Sequence, residues 1–168
     1  MGNKIRNVLF ICFGNTARSP AAEGIAKALK RDKYSEELKD VNFDSAGFFN
    51  VYKTAQAETK KYLEKNWDID FSVFKGKIMD EKLLKKQDLI LAMQSRHLKR
   101  LKRKFKHIDN LMDKAHLLLE YADNDDWKEY DIEDPVNLDT KDYEKIIKIV
   151  ERGVIKSIEK IIQINSEN

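Results

Sequence analysis

Residues 8–20 read Val-Leu-Phe-Ile-Cys-Phe-Gly-Asn-Thr-Ala-Arg-Ser-Pro, and they carry the strongest structural signal in the chain. The apolar run that starts there predicts a buried strand, which we place at Lys4–Cys12. Gly14 and Asn15 favour a turn directly after it. A helix follows at Pro20–Leu29, where Ser19 suits the N-cap and Glu23 is expected in the first turn. The stretch therefore predicts a strand, a tight loop and the start of a helix.

The rest of the chain alternates between short apolar runs and segments with helical spacing. Further strands are predicted at Val41–Ala46, at Asp88–Met93 and, as a strand or a strand plus turn, at Lys114–Tyr121. Further helices are predicted at Ala55–Asn66, Met79–Lys85, Ser95–Phe105 and Lys141–Ile164. Residues Asp123–Asn137 are expected to form an acidic irregular loop. This alternation predicts an α/β fold, with a parallel sheet and helices on both faces. The 168 residues contain no repeat or linker, so one domain over residues 1–168 is expected. Ligands bind such sheets at the carboxyl ends of strands, where Cys12 lies.

Composition excludes several classes of protein. The 32 Lys and Arg against 29 Asp and Glu leave a net charge of +3, which makes nucleic acid an unlikely partner. The longest strictly apolar run, Val8–Phe13, is too short for a membrane span. Cys12 is the only cysteine, so the chain can form neither an internal disulfide nor a cysteine zinc site. A reducing cytosol is the simplest compartment, and we predict a cytoplasmic protein.

The residues around Cys12 suggest nucleophilic chemistry on a bound anion. Backbone N–H groups of a strand-to-helix loop can converge on one anion, and Arg18 offers a planar fork to two of its oxygens. Gly14 is expected to let the backbone approach in dihedrals that a side chain would forbid, and Asn15 to brace the loop. This positive field should favour the thiolate, which is the nucleophilic form of cysteine. A lone cysteine is more often a buried structural residue, but this combination of residues has little joint packing rationale.

Residues 8–29 closely resemble the signature of low-molecular-weight protein tyrosine phosphatases, Cys-x-Gly-Asn-x-Cys-Arg-Ser-Pro, with Ala17 in place of the second cysteine. The stretch Asp44–Gly47 is similar to that family's Ser-Ala-Gly strand end, and Leu89–Met93 resembles its third strand. Asp134 and Pro135 stand where the family keeps an Asp-Pro pair before its last helix. The matches keep the family's order and cover about residues 4 to 165.

The resemblance implies a four-stranded parallel sheet flanked by helices, with the phosphate-binding loop after the first strand. It implies that Cys12 attacks phosphorus and forms a cysteinyl-phosphate, that Arg18 and the loop amides bind the phosphoryl oxygens, and that Asp134 is the general acid and then the base. The implied phosphate-binding and supporting residues are Phe13, Gly14, Asn15, Thr16, Ala17, Ser19 and Ser45. Ser19 would hydrogen-bond the sulfur, while Asn15 and Ser45 would brace the loop. No metal or cofactor is needed, and the expected partners are proteins that contain phosphotyrosine.

Two features of the sequence bear on the choice of substrate. Family members selective for phosphotyrosine often have an aromatic residue just after Asp-Pro, whereas this chain has Val136 and Asn137. We expect Phe48 or Phe49 to form the opposite wall of the pocket and Phe13 its base. Related arginine phosphatases often carry Thr at the position of Phe13, so Phe13 favours phosphotyrosine. A protein arginine phosphatase, a phosphatase of small phosphomonoesters and a catalytically silent phosphate-binding module stay open as alternatives.

Other polar clusters have simpler explanations. His97, His107 and His116 have no metal-ligand spacing, and we interpret them as surface or satisfied core residues. The basic run Lys99–Lys106 reads as the solvated face of an amphipathic helix. Asp131 and Glu133 are rival candidates for the general acid. The acidic group Asp123, Asp125 and Asp126 lacks the Gly and terminal Glu of a calcium loop.

Overall fold

A computed structural model describes residues 2–50, 52–122 and 127–168. The strands are β1 (Asn7–Cys12), β2 (Asn42–Gly47), β3 (Leu89–Ala92) and β4 (Ala115–Leu117). The helices are α1 (Arg18–Asp32), α2 (Ala57–Trp67), α3 (Glu81–Lys86), α4 (Ser95–Lys104), α5 (Leu118–Ala122) and α6 (Thr140–Ser166), with a 3₁₀ turn at Leu111–Lys114. The strands form one sheet in the order β2-β1-β3-β4, and every pairing is parallel. This confirms the predicted fold class.

Strand β1 lies in the middle of the sheet and is buried on both faces, which explains its continuous apolar sequence. Its side chains alternate between two cores. Val8 and Phe10 pack with residues of α1, α2, α5 and α6 on one face. Leu9 and Ile11 pack with residues of α3 and α4 on the other. Helices therefore cover both faces of the sheet, as predicted.

The order of the strands places a crevice at the carboxyl end of β1. Strands β2 and β3 lie on opposite sides of β1, and the helices that follow β1 and β3 pack on opposite faces of the sheet. The loops leaving β1 and β3 therefore diverge, which is the usual position of a ligand in an open parallel sheet. Residues 13–17 connect β1 to α1 at this point.

Helix α6 is the longest helix, with 27 residues, and it begins where the Asp139 side chain accepts a hydrogen bond from the Asp142 amide at 2.9 Å. One face of the helix carries apolar side chains at steps of three and four residues, and these are buried, namely Tyr143, Ile147, Val150, Val154, Ile158 and Ile161. Its other positions carry many charged side chains. Within the three described ranges, no helix is both long and apolar enough to cross a lipid bilayer.

One local prediction was wrong, and another was right only for part of its range. Helix α1 starts at Arg18 with Ala17 at the N-cap position, so Ser19 lies inside the first turn and caps nothing. The run after Lys114 forms only three residues of strand before α5 begins, because a short apolar run suits either a strand or a buried helix. Residues 127–137 contain no helix or strand, as expected of the acidic loop. The acidic group Asp123, Asp125 and Asp126 lies outside the described residues.

Candidate active site

The Cys12 sulfur lies at the end of β1, where two hydrogen bonds converge on it. The backbone N–H of Asn15 donates to the sulfur at 3.3 Å, and the Ser19 hydroxyl lies 2.9 Å away. Ser19 can make this contact because it belongs to the first turn of α1. When the sulfur is a thiolate, both groups donate to it, and such charge-assisted hydrogen bonds stabilise negative charge there.

Arg18 is buried beside Cys12, with only 2% of its surface exposed. One guanidinium nitrogen donates to the Ile132 carbonyl oxygen at 2.7 Å, and the other lies 3.5 Å from a carboxylate oxygen of Asp134. Burial lowers the pKa of Arg18, while the charges of Cys12 and Asp134 act in the opposite direction. An arginine stays protonated in proteins, so the loop carries a fixed positive charge next to the thiol.

The Asn15 side chain ties the loop to two other segments. Its amide nitrogen donates to the hydroxyls of Ser19 and Ser45, each at 2.9 Å, and its amide oxygen accepts from the Lys77 backbone N–H at 3.0 Å. Asn15 itself has φ of 53°, a left-handed conformation that asparagine tolerates. The predicted bracing by Asn15 and Ser45 corresponds to these contacts.

The glycine that the loop requires is Gly47, not Gly14. Gly14 does not have a positive φ, and a Cβ there would meet only the Thr16 side chain, at 3.8 Å, so the conformational reason given for Gly14 is wrong. At Gly47, a Cβ would lie 2.8 Å from both the Asn15 nitrogen and the Phe13 carbonyl oxygen. Those are backbone atoms, so a side chain would displace the loop. The close approach depends on the pairing of β1 with β2, which the sequence does not display.

Glu23 extends the hydrogen-bonded network into the core, and the sequence analysis missed this role. The Ser45 hydroxyl donates to a Glu23 oxygen at 3.0 Å, and Lys27 pairs with the other oxygen at 3.2 Å. Burial raises the pKa of Glu23, with Asp44 acting in the same direction and Lys27 against it. Because α1 begins at Arg18, Glu23 lies beyond the first turn, contrary to expectation. The sequence offered one indication of this role, because Glu23 is a charged residue among the apolar residues of α1.

A cavity of about 310 Å³ opens above the loop. It is lined by loop residues, by aromatic residues after β2 and by residues of the Asp-Pro segment, namely Cys12, Phe13, Gly14, Thr16, Ala17, Arg18, Phe49, Tyr52, Asp134, Val136 and Asn137. Phe49 forms a wall, whereas Phe48 is buried in the core. The rings of Phe13 and Phe49 lie 5.1 Å apart, so Phe13 belongs to the same wall. Tyr52 also lines the cavity, and the sequence analysis did not identify it.

Among the three candidate acids, Asp134 alone lines the cavity. Its side chain is half-exposed, accepts a hydrogen bond from the Val136 N–H at 3.2 Å and lies beside Arg18. Asp131 instead accepts hydrogen bonds from the backbone N–H and the hydroxyl of Ser95, at 2.6 and 3.0 Å, and so holds the start of α4. Glu133 is exposed. The geometry therefore favours Asp134 over its neighbours.

His97 is buried, and neither ring nitrogen has a hydrogen-bond partner within the described ranges. The interpretation as a surface or satisfied core residue is therefore wrong for His97. Burial, with the charges of Arg18 and Arg96, lowers its pKa to about 3, so the ring is neutral at physiological pH. His107 is exposed beside Glu81. The described residues hold no group of three or more His, Cys, Asp or Glu side chains that could bind a metal ion.

Comparisons with known proteins agree with this geometry. Residues 7–166 match the sequence profile of the family described as low molecular weight phosphotyrosine protein phosphatase. The family member from Sus scrofa is 27% identical over 156 residues, 93% of this chain and 96% of that protein. The protein-arginine-phosphatase of Bacillus subtilis (strain 168) is 33% identical over 94 residues, 54% of this chain and 57% of that protein. The crystal structure of the low molecular weight protein tyrosine phosphatase from T. tengcongensis superposes with a TM-score of 0.79 at 35% identity, covering 92% of this chain and 99% of that one. The resemblance read from the loop is confirmed, and the chain belongs to the low molecular weight phosphotyrosine protein phosphatase family.

Proposed function

We propose that this protein hydrolyses phosphotyrosine in proteins through a cysteinyl-phosphate intermediate on Cys12. The observation that carries the proposal is that Cys12, Arg18 and Asp134 line one cavity whose wall is aromatic. A silent phosphate-binding module would need the loop and Arg18 but not an acid at the cavity, so the position of Asp134 argues against that alternative. Cys12 has to stay reduced for this chemistry, which suits a cytoplasmic protein.

In the first step, the Cys12 sulfur attacks phosphorus opposite the ester oxygen. The S–P bond forms as the P–O bond to the leaving group breaks, and Asp134 gives its proton to the leaving oxygen. Arg18 and the backbone N–H groups of the loop stabilise the charge on the three remaining phosphoryl oxygens. Arg18 is already held by the Ile132 carbonyl oxygen, so its guanidinium needs little reorganisation when the substrate binds.

In the second step, water attacks the phosphorus of the cysteinyl-phosphate. Asp134, now a carboxylate, takes a proton from the water, the S–P bond breaks, and the electron pair returns to sulfur. The hydroxyl of Ser19 and the N–H of Asn15 stabilise the departing thiolate. Inorganic phosphate is released, and the protonation states of Cys12 and Asp134 are restored.

The aromatic wall supports an aryl phosphate as the substrate. Phe13 and Phe49 offer two adjacent ring faces above the nucleophile, which match the ring of phosphotyrosine. Phosphoarginine is the second candidate, because the segment after Asp134 and Pro135 contributes Val136 and Asn137 to the cavity and no aromatic ring. The similarity to the protein-arginine-phosphatase of Bacillus subtilis points the same way.

The deciding experiment compares hydrolysis of one peptide that carries phosphotyrosine, phosphoserine or phosphoarginine. We expect the highest kcat/KM for phosphotyrosine and no turnover by the Cys12→Ser variant, which keeps Arg18 and the loop amides and should still bind phosphate. Preference for phosphoarginine would replace the proposed substrate with the second candidate. Turnover by Cys12→Ser near the wild-type rate would refute the covalent mechanism.

The acid is tested with Asp134→Asn on aryl phosphates of increasing leaving-group acidity. General acid catalysis is typically worth about 10²–10⁴ in rate, so the loss should be of that order for poor leaving groups. It should shrink for acidic phenols, which leave without a proton. An equal loss for all leaving groups would assign Asp134 a structural role, and Asp131→Asn serves as the matched control.

A further inference from the structure

The guanidinium of Arg100, on α4, lies over three phenylalanine rings. Its central carbon is 5.0 Å from the centroid of the Phe49 ring and 5.5 Å from those of Phe13 and Phe48. The Nε atom of Arg100 is buried and has no hydrogen-bond partner in residues 2–50, 52–122 and 127–168. Arg100 therefore makes cation–π contacts with the three rings, at distances where the ring quadrupole attracts the guanidinium.

The backbone near these rings is already held in place. The amides of Phe48 and Phe49 both donate to the carbonyl oxygen of Phe13, at 2.8 and 3.1 Å, which joins the end of β2 to the loop. Phe48 then points into the core, at 2% exposure. The rings of Phe13 and Phe49 are exposed to 40% and 42%, so backbone hydrogen bonds and core packing do not by themselves fix their orientation.

We propose that Arg100 is a positioning residue for the substrate, because it holds the Phe13 and Phe49 rings as a fixed wall that selects aryl phosphates. This role rests on the proposed phosphatase function, and it would account for a preference of the site for aryl phosphates. One cation shared by both rings couples their orientations, and Phe48 anchors the same cation to the core. A wall that is ordered before binding loses less conformational entropy when an aromatic leaving group packs on it.

The phosphoryl group is bound by different parts of the protein. Arg18, held by Ile132, and the loop amides bind phosphate whatever the leaving group is. A substrate without a ring gains nothing from the wall, so the contribution of Arg100 must depend on the leaving group. This dependence separates a role in selecting aryl groups from a general effect of positive charge near the cavity.

The other basic residues of α4 provide the matched control. Arg103 lies on the same helix and is exposed, whereas Arg100 is half-buried against the rings. Arg103→Gln removes the same charge as Arg100→Gln without removing a cation from the aromatic wall. A general electrostatic effect would appear in both variants, whereas an effect through the wall appears only in the Arg100 variant.

The test measures kcat and KM with p-nitrophenyl phosphate, an aryl substrate, and with acetyl phosphate, which has no ring. Arg100→Gln should lower kcat/KM for p-nitrophenyl phosphate by about five- to tenfold, mainly through KM, since a partly desolvated cation–π contact is worth roughly that factor. Its kcat/KM for acetyl phosphate and its inhibition by inorganic phosphate should stay within about twofold of wild type. Arg103→Gln should change neither, and Arg100→Lys, which keeps a cation, should recover part of the loss.

A double-mutant cycle with Phe49→Leu shows whether Arg100 acts through the ring. In the Phe49→Leu background, Arg100→Gln should have a smaller effect on p-nitrophenyl phosphate, because the ring nearest to the cation is gone and only Phe13 of the wall remains in contact with it. An undiminished effect there, or an equal loss on both substrates in properly folded enzyme, would overturn the proposal. If Arg100→Gln does not fold, the same measurements are made on Arg100→Met, which keeps an unbranched apolar side chain of similar length. A wild-type protein that hydrolyses neither substrate would refute the proposed function instead.

Discussion

The two sides of the phosphate-binding loop are built by different kinds of interaction. Behind the loop, the Asn15 amide uses both hydrogens in buried hydrogen bonds to Ser19 and Ser45, and its oxygen in a partly buried one to Lys77. In front of it, the cavity wall consists of the rings of Phe13 and Phe49, which contact each other and a shared cation while half-exposed to solvent. Hydrogen bonds are directional, and a buried group that loses its partner is costly. Substitutions behind the loop should therefore lower kcat strongly. Substitutions in front of it should change kcat/KM by small factors that depend on the substrate.

Among changes to the two sides of the loop, the largest effect is expected from Asn15→Ala. Removing the amide leaves Ser19 and Ser45 without their shared donor and places alanine at a φ of 53°. Misplacing a catalytic group by about 1 Å can cost 10²-fold, so kcat for p-nitrophenyl phosphate should fall by about that factor. Asn42→Ala, an exposed asparagine of β2, is the control. A kcat within about twofold of wild type for Asn15→Ala would show that the loop keeps its shape without the rear network.

Oxidation tests the loop at position 17. Cys12 is the only cysteine, so a sulfenic acid formed by peroxide has no internal thiol to capture it and can proceed to irreversible acids. We expect dithiothreitol to restore only part of the wild-type activity after peroxide treatment. Ala17→Cys should raise the recovered fraction several-fold where the geometry allows a disulfide with Cys12, and bound phosphate should protect both proteins.

The measurement is the activity recovered after a fixed exposure, together with the intact mass. Full recovery of the wild type with no sulfinic or sulfonic acid in the mass spectrum would contradict this prediction.

Acid stability tests His97, which lies under the front wall with its ring 6.4 Å from that of Phe48. Its pKa is lowered to about 3 in the folded protein, from 6.5, so the unfolded chain binds the additional proton as the pH falls below 6.5. The stability that His97 provides is therefore complete above pH 6.5 and is lost on acidification, by up to about 1.4 kcal/mol per pH unit. The His97→Gln variant should not show this loss of folding stability on acidification.

Urea unfolding of wild type and His97→Gln at pH 7.5, 6, 5 and 4 makes the comparison. The free-energy difference between the two proteins should be constant above pH 6.5 and should move in favour of the variant below it. A difference that stays constant down to pH 4 would mean that His97 becomes protonated in the folded state.

The smallest effect is expected from Tyr52→Ala. Tyr52 lines the cavity but is 62% exposed, so it can cover only the outer part of a bound substrate. We expect kcat/KM for a phosphotyrosine peptide to fall by about two- to threefold, in proportion to the small apolar area involved, with kcat unchanged. Tyr130→Ala removes an exposed tyrosine that does not line the cavity and should have no effect. A loss above tenfold would give Tyr52 a closer role.

Most of the rear of the site could be predicted from the sequence, apart from Glu23 and Lys77, whereas the front could be predicted only in part. Cys12, Asn15, Arg18 and Ser19 are close together in the sequence, and Ser45 follows from the resemblance. The choice between Phe48 and Phe49 depends on which side the chain faces as it leaves β2, where neighbouring residues point in opposite directions. Arg100 was undetectable for a similar reason. The sequence of α4 is that of an ordinary basic amphipathic helix. Only the tertiary structure places Arg100 over the rings of Phe13, Phe48 and Phe49.

The fold shows the same division between local and long-range information. Strand β1 was predictable because burial on both faces leaves a continuous apolar run. Ser19 was placed at the N-cap because its type suits that position, but the helix begins at Arg18 and the hydroxyl contacts Cys12 instead. The need for glycine at position 47 arises only from the approach of β2 to the loop.

The segment from Asp131 to Asp134 has a consequence for the synthesis of the protein. Ile132 donates its N–H to the Met93 carbonyl oxygen at 2.9 Å and accepts from Arg18, which lies 114 positions earlier in the chain. A ribosome releases the loop first, and domains acquire their long-range contacts only when the later residues emerge. A nascent chain that stops before Ile132 therefore contains the proposed nucleophile, Cys12, but lacks both the carbonyl group that holds Arg18 and the proposed acid, Asp134. We expect phosphatase activity to appear only late in translation, after this segment has joined the carboxyl end of β3.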